Sequence, residues 1–201
     1  MSGFAKVCVA VGLLTIAAGC ASIQLTNAWR DPAFSGGPFK SIMVIGVTKQ
    51  AAVRRIFEDE FAQRLSEHGV KAVPSYTLIP EDGEVPKDRL AEAVRAAGVQ
   101  GVLITRWVKV QQRTQVYPGS YWGPPYMGFY GYYDWVWGGF YEPPQVVSYD
   151  VVTTETSLFD AATNTLVWSG TTESFSPRDL RKDTREFADV MIKALAANGL
   201  I

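Results

Sequence analysis

SIMVIGV, residues 41–47, is a short apolar run without alternation. A strand with one wet face alternates apolar and polar residues, so an unbroken run of this length is expected of a strand buried on both faces and central in a sheet. A second run, VQGVLITRWVKV at 99–110, has the same character at its start. Two such runs can be buried together only as neighbouring strands, which places Ile42, Val44, Ile45, Val102 and Ile104 in the core.

The sequence between the two runs sets the fold class. From Ala51 to His68, Val53, Ile56, Phe57, Phe61 and Leu65 recur at helical spacing, with charges opposite and Gly69 just past the end. VKAVPSYTLIP, 70–80, reads as a strand whose Pro74 points to a sheet edge or a bulge. Leu90, Val94 and Ala97 mark a short second helix stopped by Gly98. Two strand–helix–strand units imply parallel pairing with right-handed crossovers.

Upstream, SIQLTNAW puts Ile23, Leu25 and Trp29 on one side of a half-exposed first strand, broken by RDPAFSGGP. Downstream, QVVSYDVVTTETSLFD and TLVWSGTTESF flank the turn-like AATN and read as an antiparallel hairpin. Phe187, Val190, Met191, Ala194 and Leu195 form the stripe of a last helix that Gly199 ends. Ser176 with Pro177, or Asp183 with Glu186, are its competing starts. The expectation is an α/β fold: one layered domain over 20–201, with a mixed sheet, two βαβ units, a β-hairpin and a C-terminal helix.

Between the third strand and the hairpin lies YPGSYWGPPYMGFYGYYDWVWGGFYEPP, 117–144, with 12 aromatics, 6 glycines and 5 prolines in 28 residues. Rings at this density call for burial, yet Gly and Pro at this density deny the backbone a regular element in which to bury them. The segment therefore reads as an insertion. It holds no cation, which disfavours stacking on nucleic acid and removes any pull toward anionic lipid. A low-complexity insertion whose rings pack on one another, a contact surface for a partner protein, and an apolar surface for glycan strands or lipid headgroups all remain open. The candidate contact residues are Tyr121, Trp122, Tyr126, Tyr130, Tyr133, Trp135, Trp137 and Tyr141.

The formal charge of −1 is unlike the footprint of a nucleic-acid binder. Charge is uneven, however: no Lys, Arg or His lies between Arg113 and Arg178, where six carboxylates do. Chemistry-bearing constellations are scarce. His68 is the only histidine, which excludes a histidine-based zinc cluster, and its place at a helix end suits capping of carbonyls. Ser66, two residues away on the same helix, cannot face it. Glu58, Asp59 and Glu60 fall on the polar side of the first helix beside Arg54, Arg55 and Arg64, as a solvated face would. Asp134 and Glu142 are the one carboxylate pair that a glycosidase reading would use. We expect no cofactor and no metal.

The amino terminus, MSGFAKVCVAVGLLTIAAGC, has one charge at Lys6 and an apolar run from Val7 to Ala18 that is short for a bilayer span. It reads as a signal peptide over 1–19. Its end, TIAAGC, resembles the lipobox of bacterial lipoproteins, although Ala17 stands where Leu is more usual. The resemblance implies lipidation of Cys20 after cleavage. A plain secretory signal cleaved near Ala18 or Ala21 is the alternative. Cys8 would leave with the signal, so the mature chain would form no disulfide. Ala21 lacks the Asp that retains Gram-negative lipoproteins in the inner membrane, which implies the outer membrane, periplasmic face.

WRDPAFSGGPFKSIMVIGV, RRIFEDEFAQRLSEHGVKAVPSYTLIP, GVLITR and LFDAATNTLVWSGTTESFSP together resemble a proteobacterial lipoprotein family defined only as a domain of unknown function. The element order also looks like the periplasmic domains of the penicillin-binding-protein activator lipoprotein and of the amino-terminal part of the Tol system's propeller protein. The family supplies no catalytic residue to carry over, and we read the chain as a non-catalytic binding or envelope-structural module with the aromatic insertion as its contact surface. Its partners would be the membrane through lipid on Cys20, an envelope protein, or glycan. A cell-envelope hydrolase acting on glycan, with carboxylates near the insertion, is the rival reading.

Overall fold

The two apolar runs lie side by side: in the computed structural model, β2 (Ser41–Val47) pairs in parallel with β4 (Gly101–Tyr117), Ile42 opposite Gly101 and Ile45 opposite Ile104. The structure describes residues 22–81, 83–117, 128–133, 137 and 145–201. The remaining elements are β1 (Ile23–Arg30), α1 (Ala51–Glu67), β3 (Lys71–Pro74) followed by a 3-10 turn, α2 (Lys87–Ala97), β5 (Gln145–Asp160), β6 (Thr165–Phe175) and α3 (Leu180–Ala197). A further helical turn occupies residues 129–133.

The six strands form one mixed sheet in the order β1-β6-β5-β4-β2-β3, parallel across β4, β2 and β3 and antiparallel elsewhere. The sequence-derived α/β fold is therefore the observed one. β3 lies at an edge, where the missing N–H of Pro74 leaves no ladder bond unmade.

Alternation along β2 and β4 feeds two cores. Ile42, Val44 and Leu103 face α1 and α3, joining Phe61, Leu65, Trp168 and Met191 in the main cluster. Met43 and Val102 face α2 and make a smaller one. Ile45 and Ile104 pack on that smaller cluster and are only partly buried, because a short helix covers less of the sheet than two long ones. Gly46 lets α1 approach β2: a Cβ there would stand 2.9 Å from the Phe57 ring.

Four expectations need correction. Glu58 and Glu60 are buried, not solvated. α1 is enclosed by β2 and β3 on one side and α3 on another, and Glu58 and Glu60 fall on these covered sides, while Asp59 is exposed as expected. The last helix starts at neither expected position. Asp179 is its N-cap, accepting from the Lys182 N–H at 3.0 Å, while Asp183 accepts from the N–H groups of Arg178 and Asp179 at 2.8 and 2.9 Å. Trp29 does not share a side with Ile23 and Leu25, because a register shift between Leu25 and Asn27 leaves Thr26 unpaired and reverses the alternation. Finally, the third strand continues to Tyr117, well past Val110.

Candidate functional site

The extra length of β4 builds the molecule's most distinctive surface. β2 leaves β4 at Val47 opposite Arg106, and β6 leaves β5 at Phe175 opposite Val151. β4 and β5 stay paired beyond both, from Gln112 opposite Asp150 to Tyr117 opposite Gln145. These six further pairs make a two-stranded ribbon about 20 Å long, at some 3.4 Å per residue. A free ribbon of this kind is marginal in water, but here it is rooted in the two middle strands of a six-stranded sheet.

The ribbon's contacts with β6 and across its own strands are those of an exposed element. Arg113 reaches Glu173 at 3.0 Å, the hydroxyls of Thr114 and Ser148 lie 3.3 Å apart, and the rings of Tyr149 and Phe175 meet at its root. Toward the far end, Val116, Tyr117, Val146 and Val147 are exposed. The 117–144 segment is held by this end, between Tyr117 and Gln145. Of its eight candidate contact residues, Tyr130, Tyr133 and Trp137 are described, 49 to 82% exposed, together with Phe129 and Tyr132. Phe129 meets Tyr130 and Tyr133 meets Trp137, both edge to face. Tyr121, Trp122, Tyr126, Trp135 and Tyr141 lie outside the described residues, as do Asp134, Glu142 and the lipidation candidate Cys20.

The chain enters the domain at the root of the ribbon. Ile23 lies opposite Ser174, the carbonyl of Ser22 accepts from the Phe175 N–H at 2.8 Å, and the Ser22 hydroxyl donates to Glu186. A cavity of about 620 Å³ opens there between β1 and the start of α3. On the helix side of the ribbon's root, Phe57, Trp107, Val152, Leu180 and Phe187 line a second cavity of about 300 Å³. The carboxylate among its lining residues is Asp183, and that group is already engaged in capping α3.

The buried carboxylates of α1 are structural ties. Glu58 accepts from the N–H groups of Gly46 and Tyr76, from Ser75 Oγ and from Arg54 Nε, all at 2.7 to 3.0 Å. Glu60 receives Arg181 of α3 at 2.6 Å and Arg185 at 3.6 Å. Asp59 accepts from the Tyr76 hydroxyl at 2.6 Å, and this bond, with burial, raises the phenol above its usual range. His68 caps α1 as expected, its Nδ1 lying 2.9 Å from the Arg64 carbonyl, and Ser66 donates to Ala62 O. Among the described residues no group of three or more His, Cys, Asp or Glu side chains could hold a metal, and no helix is long and apolar enough to cross a membrane. Sequence reasoning missed the ribbon, although the β-branched and aromatic residues of QVY and QVVSY at its ends were the available signal.

No curated protein matches the chain. Among solved structures, it is similar to the PelC dodecamer from Paraburkholderia phytofirmans, at 17% identity and a TM-score of 0.44, over 84% of this chain and 94% of that one. It is also similar to the lipoprotein GNA1162 from Neisseria meningitidis, at 14% identity and a TM-score of 0.42, over 78% of this chain and 98% of the other. Residues 98–196, which take in β4, the aromatic segment, the hairpin and nearly all of α3, match a family described as a domain of unknown function, DUF4136.

Proposed function

We propose that this chain is a lipoprotein of the outer membrane, anchored through Cys20 and facing the periplasm, that acts as a non-catalytic binding module with the aromatic segment as its contact surface. The observation that carries this reading is the ribbon: β4 and β5 run on past the rest of the sheet to the two ends of the 117–144 segment, and among the described residues none of that segment belongs to either core cluster while its rings are exposed. Exposed Tyr and Trp side chains, with an apolar body and a polar tip, suit such contacts.

Labelling cells with radioactive palmitate tests the anchor. Wild type should be marked and Cys20→Ala should not, and equal labelling overturns the lipoprotein. Crosslinked capture from whole envelopes, with and without residues 118–144, tests the contact surface. Loss of the captured components in the shortened chain supports it, and an unchanged set overturns it.

A further inference from the structure

We infer that the far end of the β4–β5 ribbon docks on the interfacial layer of the same membrane that holds the lipid on Cys20, an inference that rests on the lipoprotein reading above. The first ground is directional. β1 runs away from the ribbon's far end, since it is antiparallel to β6, which is antiparallel to β5. Traced backward from Ile23, the chain therefore heads the same way as the ribbon. Ser22 is level with Phe175 at the ribbon's root, and Cys20 is two residues further on.

Residues 20–22 reach at most about 10 Å from that root when extended. The ribbon reaches about 20 Å. A lipid on Cys20 thus brings the membrane to the end of the domain from which the ribbon projects, and the ribbon meets it first. The difference of about 10 Å is taken up by inclining the ribbon or by sinking its rings into the interfacial layer, whose depth is of that order.

The second ground is chemical. The last charged residues on the ribbon are Arg113 and Asp150; from Thr114 to Tyr117 and from Gln145 to Tyr149 both strands are uncharged. In the segment that joins its two strands, the described residues 128–133 and 137 are Gly, Phe, Tyr and Trp, with the large rings exposed. Tyr and Trp settle at the headgroup level, where the ring is half in hydrocarbon and its polar edge stays wet. With no cation to seek anionic lipid, attachment depends on the rings and is expected on zwitterionic bilayers without regard to salt.

The mature chain has no thiol other than the one that lipidation consumes, so Tyr130→Cys and Ala162→Cys each give a single site for a spin label. Ala162 lies in the β5–β6 turn, at the opposite end of the sheet. The lipidated protein is reconstituted into phosphatidylcholine vesicles, and collision of the label with a water-soluble nickel complex is compared with collision with oxygen dissolved in the bilayer. At position 130 the aqueous collision rate should fall about tenfold relative to position 162, with oxygen collision raised. Equal aqueous access at both positions overturns the inference. Shielding that appears only with anionic lipid or vanishes in high salt overturns it too. If position 130 is open to water on vesicles yet crosslinks to an envelope protein in cells, membrane docking fails while the contact surface stands. Absence of fatty acid on Cys20 removes the anchor and this inference with it.

Discussion

Arg54 donates from Nε to Glu58 Oε1 across 3.0 Å, one turn apart on α1, with both side chains buried. The same guanidinium also donates to Ser75 Oγ and the Glu81 carbonyl, so one ion pair joins β2, α1 and the turn after β3. Removing the cation alone strands a buried carboxylate. Arg54→Met should therefore lower unfolding free energy by about 3 to 5 kcal/mol in a urea titration. A loss of about 1 kcal/mol or less would be the signature of a solvated pair.

The two faces of the sheet predict unequal costs for the same truncation. Ile42→Ala removes a fully buried side chain from the main cluster and should cost about 2 to 5 kcal/mol. Ile45→Ala, on the less covered side, should cost visibly less in the same titration. Equal losses would mean that α2 seals its face as completely as α1 and α3 seal theirs.

Replacing residues 118–144 by a short Gly/Ser linker should leave the denaturation midpoint nearly where it is, because loop-closure entropy changes only slowly with length. Buried rings would behave otherwise, at roughly 1.5 to 3 kcal/mol for each large side chain. Failure of the shortened chain to fold would make the segment core and end its reading as a contact surface.

The cap of α3 gives a pH signature. The Lys182 backbone N–H holds the Asp179 carboxyl below its usual range. A depressed folded-state value means that the ionised cap stabilises the protein above the unfolded-state value, and that this contribution is lost as pH falls through the folded-state one. Asp179→Ala should lower the thermal midpoint at neutral pH, and the gap to wild type should close in acid. Asp179→Asn should keep part of the cap and lose the pH dependence. A gap that persists unchanged in acid would assign the effect to something other than the charge.

The elements that bury apolar side chains were legible in the sequence. SIMVIGV and GVLIT announce strands covered on both faces, and Pro74 announces an edge, since each follows from burial or from a missing donor. Glu58 was not legible, because a carboxylate one turn from an arginine looks alike on a wet helix and on one enclosed by a sheet and a second helix. The start of α3 was obscured by SPRDLRKDTRE, which offers several capping side chains, and the choice falls to the residue at which the chain turns after β6. The ribbon was hidden for the opposite reason: from Arg106 onward β4 buries nothing, so the alternation that reveals a strand has no apolar face to mark. The rings were legible as a composition, and the ribbon whose two strands lead into their segment was not.

Because β4 and β5 are the middle strands of the sheet, the ribbon is also a lever with its fulcrum in the core. A pull on its far end along the strand axis draws both strands together and loads the ladders that flank them, β4–β2 and β5–β6, in shear, many hydrogen bonds at once, instead of opening them one after another from an edge. Tension between the point where the chain enters at Ile23 and whatever grips the tip runs through β1, β6 and β5 in succession, leaving the parallel β2–β3 half of the domain out of the line of force.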